Sequence, residues 1–180
     1  MTAKQTERLR KKIADVKRAL AADKRKHGTY DDSRGLRYLP LQYFVALGDY
    51  PGALSYLKWF TRNFEDDMGF PDFLFECTIV LFKSGKMKEA EQKAFDSFCS
   101  NSYLFDKFFD SRIIPLAKWE GSNLAAPSFV AAFHYSHHQP GLSDFSVWLQ
   151  GLISSEDFVE RCRQYTDLLS LPKRRGLNSE

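Results

Sequence analysis

Gly48-Asp49-Tyr50-Pro51-Gly52-Ala53-Leu54 and Gly85-Lys86-Met87-Lys88-Glu89-Ala90-Glu91 carry one unit twice, a glycine followed five residues later by alanine, with 37 positions between the copies. Glycine stops a helix because it enters left-handed backbone space without a Cβ clash, and alanine marks a place where two helices come close. Each copy lies between apolar stretches of helical period, so each predicts a helical hairpin, and their repetition predicts hairpins stacked side by side. The expected fold class is all-α, stacked antiparallel helical hairpins with flanking capping helices.

Working outward, the first hairpin is expected over 35–64 and the second over 71–100. Pro51 suits a first helical turn, where its missing N–H is not needed. Leu54, Leu57, Phe60 and Phe64 form one apolar stripe of the first hairpin, and Ala90, Ala94 and Phe98 form a packing face in the second. A degenerate third hairpin is expected over 102–138, where Gly121 and Ala126 repeat the unit but Pro115 interrupts the helix before the turn. Its helices are placed near Ser102–Asp110 and Ala126–His138. Pro140-Gly141 is a break.

Leu9, Ile13, Val16 and Leu20 recur at spacings of four, three and four, which predicts a basic amphipathic helix over 1–28 that ends near His27-Gly28. Asp32 and Ser33 are both cap candidates for the helix that follows. Residues 139–171 are expected to hold the carboxyl-terminal capping helices. One runs from Ser143 to Leu149 with Ser143 as its cap, and one from Ser155 to about Leu169 with Ser154 and Asp157 resembling a capping box. Pro172 ends the second, and 172–180 reads as a basic flexible tail.

The apolar fraction of 43% against 27% charged residues excludes disorder of the whole chain. No run approaches the ~18 apolar residues of a membrane span, and the first residues lack the apolar stretch of a secretory signal, so the expected compartment is cytoplasmic and no membrane contact is expected. Cys77, Cys99 and Cys162 are odd in number and far apart, so they read as reduced thiols and not as a disulfide frame or zinc knot. The net charge of +3 is uneven: residues 4–26 hold ten Lys/Arg against three Asp/Glu, and residues 27–172 hold 13 against 19. The basic first helix therefore either lies against an acidic body or meets an anionic partner.

With both hairpins placed, the units resemble the tetratricopeptide repeat. Gly48, Tyr50, Ala53, Leu57 and Phe60 match its pattern in the first copy, and Gly85, Met87, Ala90, Ala94 and Ser97 in the second. The likeness covers roughly 35–101, with the degenerate copy extending it to about 138. The spacing of 37 departs from the ~34 of that family, and Leu41 and Thr78 stand where it has a small residue. The resemblance implies a short capped array whose groove is lined by the first helix of each repeat. It implies partner contacts at Tyr38, Gln42, Val45, Asp72, Phe75, Glu76, Ile79 and Lys83.

Features that carry chemistry are sparse. A helix over 126–138 places His134 and His138 on one face at a spacing able to hold a metal, yet Tyr135 stands where a zinc hydrolase has glutamate and no third ligand is near in sequence. Asp31-Asp32, Asp66-Asp67 and Glu156-Asp157 read as caps or loop carboxylates. No nucleotide-binding loop or nucleophile motif occurs. The basic segment from Arg8 to Lys26 has no aromatic residue for base stacking. The expected function is a non-catalytic adaptor that binds a protein or peptide in a helical-repeat groove, without a cofactor or resident metal. The alternative is a nucleic-acid-associated protein using the first helix, and a metal-dependent enzyme at His134 and His138 ranks below both.

Overall fold

The structure, a computed structural model, describes residues 1–30 and 32–170, and among these it is all-helical with no strand. It divides into two compact units, Met1–Ser97 and Phe98–Glu180, and the division falls in the last turn of a helix. The domain scheme read from sequence placed no boundary there. The basic tail 172–180 and the carboxylate Asp31 lie outside the described residues.

In the first unit α1 (Ala3–His27) is capped by Thr2, whose hydroxyl accepts from the Gln5 N–H while the Gln5 side chain accepts from the Thr2 N–H. It ends at Gly28 in left-handed geometry, as expected. Ile13 and Leu20 are buried and Leu9 and Val16 half-buried, so the apolar seam packs inward, against α2 (Leu39–Leu47). Burying Ile13 and Leu20 stabilises this docking by roughly 1.5–3 kcal/mol each. The basic side chains also meet the body. Lys12 lies over the Tyr43 ring, and Lys24 lies over Tyr30 and donates to Asn63.

Two pairs of helices follow, α2 with α3 (Tyr50–Asn63) and α4 (Pro71–Lys83) with α5 (Met87–Ser100). Their turns are built alike. Gly48 has φ +66° and Gly85 φ +72°, and in each case the next residue donates backward across the turn, Asp49 N–H to Phe44 O at 3.0 Å and Lys86 N–H to Leu81 O at 2.9 Å. That is the closing bond of a Schellman motif, which satisfies a carbonyl the helix end would orphan. Ala53 and Ala90, five residues on, are both fully buried. The repeated unit is thus two copies of one turn with one alanine contact.

Asp49 then caps α3 by accepting from the Gly52 N–H, and Gly52 has no room for a Cβ, which would lie 2.8 Å from the Phe44 ring. Every residue from Phe73 to Leu81 is buried, as expected of a helix apolar around most of its circumference. Thr78 and Ser97, both fully buried, bond back to their own helices at Leu74 O and Lys93 O, and their hydroxyls meet at 3.4 Å across the α4–α5 pair. A core of Leu41, Phe44, Ala53, Tyr56, Phe60, Phe73, Cys77 and Val80 joins α2, α3 and α4.

The second unit departs from the expected third hairpin. Its first helix is the short α6 (Leu104–Phe108), and 3-10 turns at Asn123–Ala125 and Pro127–Ala132 replace the helix expected over 126–138. Ala126 is extended ahead of Pro127, and Phe133, His134 and Tyr135 alternate buried, exposed, buried, a period of two that extended backbone provides and a helix does not. Gly121 is not in left-handed geometry and closes no turn of the Gly48 kind. The buried Asn101 side chain satisfies this irregular backbone, donating to Leu124 O and Ala126 O and accepting from the Tyr103 N–H.

α7 (Ser143–Ile153) and α8 (Glu156–Ser170) pack together as the expected carboxyl-terminal pair. Their caps differ from expectation. Leu142 is the N-cap residue of α7, and Ser143 lies inside that helix. Ser155, not Ser154, accepts from the Phe158 N–H at the start of α8. Tyr165 anchors α8 by donating to Cys99 O at 2.7 Å.

Candidate functional site: an apolar groove in the first unit

An open groove of about 1070 Å³ lies in the first unit, built from α3, α4 and α5. Phe73, Leu74, Cys77 and Leu81 of α4 line it, with Leu54, Leu57 and Phe60 of α3 and Phe64 beyond its end. The α3 residues and Phe64 are the stripe legible in the sequence, and its half-buried members Leu54, Leu57 and Phe64 explain why it does not close into the core. Gln92, Lys93 and Asp96 line it from α5.

Charged side chains surround this apolar lining. Lys86 pairs with Glu89 and Lys93 with Asp96, each at 2.7 Å. Lys58, Arg62 and Lys88 also line the groove and enter no ion pair among the described residues, as does Glu65. The lining holds five cations, Lys58, Arg62, Lys86, Lys88 and Lys93, against the four anions Glu65, Asp67, Glu89 and Asp96, so its net charge is +1 in a body that is acidic in sequence.

The loop between α3 and α4 contributes Glu65, Asp67 and Gly69 to the groove lining, and a polar cluster holds it. Arg37 Nε donates to Asp67 Oδ2 at 2.6 Å, and the Tyr38 hydroxyl donates to Asp67 at 2.7 Å. The Gly69 N–H adds a third bond to that carboxylate at 2.8 Å. Arg37 Nη1 also reaches Asp32, whose carboxylate accepts from the N–H groups of Leu36 and Arg37 at the start of the 3-10 helix Leu36–Tyr38. Tyr56 donates to Arg37 O at 2.7 Å, so α3 grips the same element. Burial opposes charge on Asp67, but the Tyr38, Arg37 and Gly69 hydrogen bonds outweigh it and hold its pKa below the usual carboxylate value. Burial, and then the bond to Asp67, push the Tyr38 phenol up to about 12.

None of the eight contacts implied by the resemblance lines this groove. Phe75, Glu76 and Ile79 are buried on α4 and offer no open surface. Val45 is half-buried against the core, and Lys83 lies over the Tyr50 ring. Gln42 and Asp72 are half-buried. Tyr38 bears on the groove indirectly, through Asp67. Arg37 went unnoticed in the sequence because one arginine among 26 basic residues carries no mark of being held between two carboxylates. Lys58 and Arg62 were detectable, since they flank Leu57 and Phe60 along α3.

His134 and His138 do not share a helical face, because residues 133–136 are not helical. His134 is exposed and its carbonyl accepts from the Gln139 side chain. No helix among the described residues is long and apolar enough to cross a membrane. No family model, curated protein or solved structure matches the chain.

Proposed function

We propose that the chain is a non-catalytic interaction module and that the first unit receives an amphipathic, acidic helical segment of a partner protein. In this reading α2/α3 and α4/α5 are two hairpins of a short tetratricopeptide-like stack, and α1 caps its open end. The observation that carries the proposal is the groove itself, with an apolar lining from α3 and α4 and with Lys58, Arg62 and Lys88 around it, outside any ion pair among the described residues. An apolar helix face fills such a groove, and acidic residues along its flanks meet the cations. Met68, 86% exposed between the groove-lining Asp67 and Gly69, adds an adaptable apolar contact beside the groove.

The reading moves the contact surface from Gln42, Glu76 and Lys83 to Leu57, Lys58, Arg62 and Lys88. It is tested with two fluorescent helical peptides sharing one apolar face, one flanked by Glu and the other by Lys. The acidic peptide binds with micromolar affinity and the basic one at least about tenfold more weakly. The triple variant K58E/R62E/K88E reverses that order. Equal binding of both peptides, or an unchanged preference in the variant, removes the proposal.

A further inference from the structure

We infer that Asp110, His137 and His138 form a surface site for one divalent transition-metal ion of the zinc class. Each of the three offers one ligand atom, and these atoms lie within 4.8 Å of one another. Asp110 Oδ2 is 3.7 Å from His137 Nδ1 and 3.8 Å from His138 Nε2, both too long for a hydrogen bond. The two imidazole rings stack with centroids 3.7 Å apart, and each has a nitrogen within 4 Å of Asp110 Oδ2 without hydrogen-bonding it. Tetrahedral zinc with its usual bond lengths sets its ligand atoms about 3.3 Å apart, so small side-chain rotations complete the site. Two imidazoles and one carboxylate suit zinc, cobalt or nickel in preference to calcium or magnesium, which take oxygen ligands.

The backbone supports this placement from both sides. Asp110 has φ +52° and is the only non-glycine residue with positive φ among those described. It follows the end of α6 in a Schellman turn, closed by Ser111 N–H to Asp106 O at 2.8 Å, at the position glycine fills without strain. Aspartate is among the few non-glycine residues that enter this region readily, and there it places its carboxylate within 4 Å of both imidazoles. On the other side, His137 N–H donates to Phe108 O at 3.0 Å, and its Nδ1 lies 3.1 Å from the same oxygen. Nδ1 is also the ring nitrogen nearest Asp110, so it is the ligand atom, and metal binding replaces its contact with Phe108 O. The ion would then clip the end of α6 to the turn at 136–139.

Untagged full-length protein, stripped with chelator, is titrated with Zn²⁺ by calorimetry and with Co²⁺ by visible absorption. One equivalent binds saturably, and Co²⁺ gives the intense bands of a low-coordinate site. Zinc at a hundredfold excess over Kd raises Tm by about 5 °C or more. H138A and D110N weaken binding by about tenfold or more, and H134A leaves it unchanged. D110G separates ligand from fold: relief of the strained φ raises the Tm of the metal-free protein, and the zinc-induced rise disappears. The inference is overturned by absence of saturable one-to-one uptake, by an H134A loss equal to that of H138A, or by a zinc-induced rise in D110G equal to that of the unaltered protein.

Discussion

Arg37 and Asp67 stand thirty residues apart in sequence and are joined by a 2.6 Å bond, the guanidinium Nε donating to the carboxylate. Their side chains are only 21% and 10% exposed, so little water competes for the pair. The same guanidinium holds Asp32, and one cation therefore fixes both the entry to α2 and the loop that lines the groove.

Removing Arg37 leaves Asp32 and Asp67 without their cation, and removing Asp67 leaves Arg37 with Asp32 alone, changes that cost more than the pair contributes. Arg37→Ala or Asp67→Ala should destabilise the protein by about 2–3 kcal/mol in urea unfolding. Arg37→Lys should recover less than half of this, because an ammonium cannot serve two carboxylates with the planar fork of a guanidinium. Full recovery with lysine would show that only charge matters at this position.

The depressed pKa of Asp67 makes stability depend on acid. Its ionised form is favoured by folding, so its contribution is complete above the ordinary unfolded value of about 3.9 and is lost as pH falls through the lower folded pKa. The urea midpoint of the unaltered protein should fall more steeply between pH 5 and pH 2 than that of Asp67→Asn. Parallel pH profiles would assign the acid sensitivity to other carboxylates.

The two turns should respond alike to substitution. Gly48 and Gly85 have open space where a Cβ would stand, so alanine there costs only backbone strain, about 1–2 kcal/mol at each. Ala53→Leu and Ala90→Leu insert volume into fully buried contacts and should cost more, about 3 kcal/mol each. Thermal or urea unfolding of the four variants checks the equivalence, and a large disparity between the two glycines would break it.

Thiol labelling should report burial. Cys77 is buried, and burial raises its pKa far above the usual range. Burial, and then the neighbouring Cys99, push Cys162 up to about 12. At pH 7.5 neither should react quickly with an aromatic disulfide reagent, because the thiolate is the reactive form. All three thiols should react once the chain is unfolded, and rapid modification of Cys77 in the native protein would contradict its placement.

The local signals in the chain were reliable where one residue type has one physical reason. Gly28, Gly48 and Gly85 all adopt positive φ, and Ala53 and Ala90 are fully buried, so these glycine stops and close helix contacts were legible from residue identity, whereas Gly121, with Pro115 before it, closes no such turn. The reading weakened where helix and extended backbone compete. Over Phe133 to Tyr135 the choice fell to alternate burial of two aromatic rings, which the apolar count alone does not register. Ser155 and Ser154 are adjacent and chemically equal, and only the observed bond to Phe158 distinguishes them as a cap.

The sequence by itself determined the all-helical class, the two turns and the apolar seam of α1, because helical period and backbone permissiveness act within a few residues. Tertiary structure alone decided the groove, the Arg37 cluster and the meeting of Asp110 with His137 and His138. Each of these depends on side chains brought together from distant segments, and their approach is set by how whole helices pack. The α3 stripe shows where the two meet: its apolar residues were visible at once, but that Leu54, Leu57 and Phe64 stay half-open beside the groove's lysines follows only from the placement of α4 and α5.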